Sequence, residues 1–193
     1  MPGVKLGDRL LVIGASDPAL IGALAGKAGL TGRTVILDAT EQATAEAAAA
    51  VERDGHLVES FTAPWAMLPF DPHSFDVVVV RDVFNTLNAD ERLRCAREVH
   101  RVLRPGGRLA ILEFAEPTLP GFRTIYNWYV RAVLPRIGRA ISRHPGAYGY
   151  LPASIAAFAT PREFARLLEQ AGFADVVPVP LMLGSVVLYT ARR

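Results

Sequence analysis

The sequence predicts an α/β fold: a mostly parallel sheet with helices on both faces, a C-terminal antiparallel hairpin and a helical cap insertion. Three observations predict it. Short apolar runs alternate with helix-length amphipathic segments over the first 114 residues. The alternation then breaks over residues 115–158, which are aromatic, basic and punctuated by proline. After one more helix the chain ends in two strand-like runs joined by a short turn.

Each element has its own reason. Arg9–Gly14 (RLLVIG) is an apolar run ending at glycine and reads as a buried strand. Pro18–Ala28 follows as a helix, with Ser16 or Asp17 as N-cap, Pro18 in the first turn and Gly29 past the end. Arg33–Asp38 (RTVILD) is the second strand, and alanine-rich Glu41–Arg53 is a helix. His56–Phe61 reads as the third strand. Ser74–Val80 (SFDVVVV) is the fourth, its continuous valines marking burial on both faces. Asp90–Leu103 places Leu93, Ala96, Val99, Val102 and Leu103 on one helical face, with Asn88 or Asp90 as cap. Pro105-Gly106-Gly107 stops it, and Arg108–Phe114 (RLAILEF) is the fifth strand. Pro161–Ala171 is a helix capped by Thr160, and Phe173–Val179 with Ser185–Ala191 form the hairpin.

Composition narrows the function classes. A chain of 193 residues fits one domain, here 1–193 with the cap inserted at about 115–158. Hydrophobic residues reach 51%, yet no uncharged apolar run is long enough to span a membrane. The N-terminus lacks the apolar core and cleavage site of a signal peptide. The single cysteine, Cys95, excludes an internal disulfide, and His56, His73, His100 and His144 are too scattered for a metal site. The expected setting is cytoplasmic. The net charge of +2, with no basic run, gives no reason to expect nucleic acid as a partner.

In a parallel sheet of this kind, ligands bind beyond the carboxyl ends of the strands where the strand order reverses. That rule gathers Gly14–Asp17, Asp38, Ala63–Trp65 and Arg81–Asn85 around one crevice.

Several segments resemble the ubiquinone/menaquinone C-methyltransferase family, within the Rossmann-like class I methyltransferases. LPFDPHSFDVVVV (Leu68–Val80) resembles its LPF-x-x-x-SFD block, and RVLRPGGRLAILEFAEP (Arg101–Pro117) its helix-PGG-strand block. Tyr126–Phe158 resembles its Y-x-x-Y-x-x-x-LP-x-x-G stretch and its Y-x-YLP-x-SI-x-x-F signature. The resemblance covers Leu68–Arg193 well and the first 67 residues poorly. It implies S-adenosylmethionine (SAM) as cofactor and methyl transfer to a ring carbon of a quinone-like or other lipophilic aromatic small molecule.

On that resemblance Gly14 and Ser16 belong to the cofactor loop, Asp38 to the ribose hydroxyls, Trp65 to the adenine and Arg81 to the cofactor's reacting end. Asp82, Asn85, His144 and Tyr148 are the catalytic candidates. Tyr126, Tyr129 and Tyr150 are further cap tyrosines able to bond a phenolic oxygen or to pack. Glu113 of the LEF block is expected to be partly buried, with a structural bond to the cap as the plainer role.

The chain departs from the family pattern in several places. Val12 stands where strand one usually carries an acid, and one glycine remains of a G-x-G-x-G loop. Asp17 is placed to repel the cofactor carboxylate, and Pro18 has no N–H to offer. Pro64 and Trp65 replace an acidic adenine loop, Phe84 an arginine, and Gly149 and Ala153 an arginine and a glutamate. The chain starts about eight residues before its first strand, so a missing N-terminal lid is expected.

Two alternatives stay open: a non-methylating relative serving as a ligand-binding protein or partner subunit, and a nicotinamide-dependent reductase. The second needs a Tyr-x-x-x-Lys pair, and the only lysines, Lys5 and Lys27, lie at the wrong end. The mixture of Phe122, Trp128 and Tyr129 with Arg123, Arg131 and Arg136 suits peripheral contact with a membrane surface. Assembly into a homo-oligomer is left open.

Overall fold

A computed structural model describes residues 3–115, 117, 121 and 159–193. Its strands are β1 (Arg9–Ile13), β2 (Arg33–Asp38), β3 (Glu59–Thr62), β4 (Phe75–Arg81), β5 (Leu103–Phe114), β6 (Ala174–Leu181) and β7 (Val186–Arg192). Its helices are α1 (Pro18–Ala28), α2 (Glu41–Arg53), α3 (Ala89–Val102) and α4 (Pro161–Gln170).

The strands form one sheet in the order β3-β2-β1-β4-β5-β7-β6. The pairs among β1 to β5 are parallel, and β7 runs antiparallel to both β5 and β6. The chain winds outward from β1 to β3 and then returns to lay β4 on the other side of β1. The order therefore reverses between β1 and β4, and a crevice opens at their carboxyl ends.

The two-residue period of the central strands sorts their side chains between two cores. Leu11, Ile13, Val35, Leu37, Val78 and Val80 face α3 and α4. Leu10, Val12, Ile36, Val77 and Val79 face α1 and α2. Burial on both faces is why these strands read as continuous apolar runs.

The caps fall where the sequence places them. Asp17, not Ser16, caps α1 by accepting from the Leu20 N–H at 3.0 Å. Asn88 and Glu91 form a reciprocal capping box on α3, and Thr160 and Glu163 one on α4.

Several boundaries move. The third strand starts at Glu59 rather than His56, because its register with β2 begins there and His56–Val58 only lead into it. β5 starts at Leu103, which pairs with Phe75, and the ladder resumes at Arg108 opposite Val77. The Pro105-Gly106-Gly107 stretch is thus an excursion within the strand rather than the stop ahead of it. The hairpin strands run slightly past their expected ends, to Leu181 and Arg192. Pro178 and Pro180 lie on edge strand β6, where a missing N–H need cost no ladder bond. Most of the cap insertion, with Tyr126, Tyr129, His144, Tyr148 and Tyr150, lies outside the described residues.

Candidate active site at the switch between β1 and β4

The crevice begins at Gly14, immediately after β1. Its φ of +93° is in the left-handed region, and a Cβ built there would sit 2.2 Å from the Arg81 carbonyl oxygen. Glycine is therefore required by the close passage of the β1 end against the β4 end, independently of any ligand. The next residue joins two strand ends: the Ala15 N–H donates to Asp38 Oδ2 at 2.9 Å. The Thr40 N–H reaches Asp38 Oδ1 at 3.4 Å. Asp38 is half-buried at the end of β2, and both oxygens retain acceptor capacity.

Across the crevice, Arg81 ends β4 between two carboxylates. Its Nη1 pairs with Asp17 Oδ2, and its Nε with Asp82 Oδ2 at 3.2 Å. Ser16 Oγ donates to the same Asp82 oxygen at 3.2 Å. Asp17 is not a lone charge in this loop: one of its oxygens caps α1 and the other is paired with Arg81. One guanidinium against two carboxylates leaves the cluster with a net negative charge. Asp82 itself has a φ of +56°, uncommon for a residue other than glycine and characteristic of strained functional turns.

Below this cluster lies Glu113, 1% exposed, on the inward face of β5 with Leu109 and Ile111. Its Oε1 accepts from the Val83 N–H at 2.9 Å and the Phe84 N–H at 2.7 Å, and its Oε2 accepts from Asn85 Nδ2. These partners lie in the loop after β4, not in the cap as expected. Burial pushes the Glu113 carboxyl up to about 8, against the loop's hydrogen bonds and with help from the charge of Asp82. The Asn85 amide nitrogen is committed to Glu113 and to the Phe114 carbonyl.

Trp65 lines a cavity of about 430 Å³ beyond the ends of β2 and β3, together with Ala39, Thr62, Pro64 and Leu87. It also packs against the core on its other side. The loop that carries it is tied down by α3. Glu98 accepts from the Leu68 N–H at 2.8 Å, and Arg101 donates to the Leu68 and Phe70 carbonyls at 3.0 and 2.7 Å. The hydrogen bonds from Arg101 hold the Glu98 carboxyl below its ordinary range.

The structure thus brings together Gly14, Ser16, Asp38, Trp65, Arg81, Asp82 and Asn85. One contributor carries no signal in the sequence, and a second has a different role from the one expected. Arg92 on α3 donates its Nε to the Phe84 carbonyl at 2.9 Å. Glu113 holds this loop rather than the cap. Its inward parity in RLAILEF was the available signal, a lone acid in register with buried leucine and isoleucine. No three histidine, cysteine or carboxylate side chains gather into a metal-binding group among the described residues.

This architecture is the methyltransferase variant of the doubly wound fold. It matches a solved SAM-dependent methyltransferase from Aquifex aeolicus with a TM-score of 0.71, covering 98% of this chain and 84% of that one at 19% identity. It also matches a putative methyltransferase from Bacillus halodurans, at a TM-score of 0.63 and 18% identity, covering 99% of this chain and 91% of that one.

Sequence comparison then gives the family. The model of the ubiE/COQ5 methyltransferase family matches residues 2–193, and the chain belongs to that family. The match takes in the first 67 residues, which resemble the family motifs least. The ubiquinone/menaquinone biosynthesis C-methyltransferase UbiE of Geobacter sp. (strain M21) is 40% identical over 131 residues, 68% of this chain and 54% of that protein. The demethylmenaquinone methyltransferase of Corynebacterium glutamicum (strain R) is 37% identical over 146 residues, 76% of this chain and 61% of that protein. The chain therefore spans little more than half the length of these relatives.

Proposed function

We propose that this chain binds SAM at the β1/β4 crevice and transfers its methyl group to a ring carbon of a quinone-type, lipophilic aromatic acceptor. One observation carries the reading. In a chain of the ubiE/COQ5 methyltransferase family, an acid at the end of β2, an indole-lined cavity and an arginine between two carboxylates surround the point where strand order reverses.

The residues suit the parts of SAM. Asp38 offers its remaining lone pairs to the vicinal ribose hydroxyls. The apolar cavity at Ala39, Pro64, Trp65 and Leu87 suits a purine, with Trp65 as the ring to stack on it. The net negative charge that Arg81 shares with Asp17 and Asp82 favours the sulfonium. When bound, SAM supplies an electrophilic methyl group on that sulfonium.

The protein's remaining work is to hold an electron-rich ring carbon in line with that methyl, to accept the phenolic proton as the new C–C bond forms, and to let the methylated carbon's own proton leave so that the ring is aromatic again. Asp82, at the mouth of the crevice with 30% of its side chain exposed, is the described carboxylate placed for the proton. His144 and Tyr148 are the candidates contributed by the cap. The acceptor class follows the relatives named for ubiquinone, menaquinone and demethylmenaquinone. A lipophilic acceptor argues for an encounter at a membrane surface. Among the described residues no helix is long and apolar enough to cross a membrane.

The test is incubation of the purified chain with methyl-labelled SAM and reduced demethylmenaquinone. Label in the quinone fraction, reduced at least tenfold in Asp82→Asn, is expected. An unlabelled quinone fraction from a chain that binds SAM would refute the acceptor assignment. A chain that binds no SAM would refute the whole reading and favour a non-methylating relative.

A further inference from the structure

Glu113 lies directly beneath the segment that carries Asp82. Its carboxyl group is bonded to three consecutive residues of one loop, two through backbone N–H groups and the third through a side-chain amide. The same segment is held from the other side, where Arg92 donates to the Phe84 carbonyl. Phe84 is also packed edge-on against Phe164 of α4, with ring centroids 5.0 Å apart, and Phe164 against Tyr189 of β7 at 4.8 Å.

A buried carboxyl that accepts from adjacent backbone N–H groups is not replaceable by packing. Remove it, and two backbone donors are left inside the protein without a partner. Immediately before them, Asp82 is held at positive φ, a conformation that persists only where its surroundings over-determine it.

We infer that Glu113 is the positioning residue of the crevice floor, and that gain or loss of a single proton on its carboxyl group sets the orientation of the Asn85 amide and the grip on Val83–Asn85. Ionised, the group accepts all three hydrogen bonds. Protonated on Oε2, it meets the Asn85 Nδ2–H groups head-on, donor against donor. The amide then turns so that Oδ1 accepts from the acid, giving up the longer bond from Nδ2 to the Phe114 carbonyl. Among the described residues Asn85 Oδ1 is buried without a hydrogen-bond partner in the present orientation, so it is available for that role.

The surroundings make this proton exchangeable near neutrality. Burial raises the carboxyl to about 8, and Asp82 on the same segment adds to the rise. From α3 it is faced by Arg92 and by the buried thiol of Cys95, and from β7 by the hydroxyl of Tyr189, which its charge helps to hold in the neutral form. Arg92 is the cation among these groups, and its own pairing with the Phe84 carbonyl ties it to the same loop. The inference concerns the loop itself; only its consequence for turnover rests on the methyltransferase reading.

The test follows the backbone amide resonances of Val83 and Phe84, the Asn85 side-chain amide and the Glu113 carboxyl carbon between pH 6 and 10. All four should share one midpoint near 8 in the wild-type chain. In Glu113→Gln, which keeps an acceptor for the two N–H groups and offers its own N–H to Asn85 Oδ1, the three nitrogen signals should be flat.

Amide signals that do not move with the Glu113 carbon in the wild type would overturn the inference. So would the same midpoint persisting in the variant. The carbon measurement on the wild type decides the matter even if the variant fails to fold. Where the chain turns over, Glu113→Gln should flatten the alkaline limb of the kcat profile while leaving SAM affinity within twofold. Absence of turnover with an intact amide titration would sink the methyltransferase reading alone.

Discussion

Replacing Gly14 by alanine tests whether the β1/β4 junction is as tight as the geometry requires. At φ +93° an L-residue pays about 1–2 kcal/mol for the left-handed conformation. The new Cβ also lies 2.2 Å from the Arg81 carbonyl oxygen and 3.2 Å from Val83 Cγ2. Both strands are locked in register up to Ile13 opposite Val80, so neither end can retreat without loss of pairing. Overpacking of this kind adds about 1–3 kcal/mol. The sum, about 2–5 kcal/mol, is a large part of the 5–15 kcal/mol typical of a whole domain. Gly55→Ala is the control: φ is +85°, but among the described residues nothing lies within 4 Å of its Cβ, so it carries the conformational cost alone. Urea denaturation followed by circular dichroism should place Gly14→Ala well below Gly55→Ala. Equal losses in the two variants would refute the claim that Gly14 is fixed by the neighbouring strand.

Three further outcomes follow from the same structure. Glu113 has its folded pKa raised from 4.5 to about 8, so the stability it contributes is fully present below about pH 4.5 and is lost as pH rises through 8. Denaturation free energies from pH 5 to 9 should fall more steeply for the wild type than for Glu113→Gln, and parallel curves would count against it. Burial pushes the Cys95 thiol up to about 12, so a thiol reagent at pH 8 should label it only on unfolding. Labelling at the same rate in native buffer would contradict that burial. Thr160→Ala removes one side of the α4 capping box and should cost about 1 kcal/mol, with Thr160→Ser retaining most of it; an alanine variant as stable as the wild type would show the cap to be idle.

What was legible in the sequence follows from the range of each interaction. α1, α2 and α4 are specified by neighbours within four residues: caps place α1 and α4, and a run of alanines places α2, each within a residue. β1, β2 and β4 announce themselves because both of their faces are buried. β3 has mostly exposed or half-buried side chains and only β2 beside it, so no apolar pattern marks where it begins.

The crevice was legible as a place but not as a network. The strand-order rule gathers Gly14, Asp38, Trp65 and Arg81, yet gives no hint that Arg81 pairs with Asp17, which is 64 residues away. Read alone, Asp17 is an unpaired negative charge in the cofactor loop. Paired, it becomes part of a cluster able to favour a sulfonium. Gly14 shows the opposite: a residue expected to serve a cofactor is already required by the approach of two strands.

The central claim is that this crevice holds SAM despite a loop with one glycine and a proline. Calorimetric titration of the chain with SAM tests it most directly, with Asp38→Asn as the comparison, since that substitution keeps an acceptor for the Ala15 N–H and changes what the ribose meets. Saturable heat with one site per chain, and an affinity at least tenfold weaker in the variant, is the predicted result. No heat and no thermal shift at millimolar SAM would contradict it.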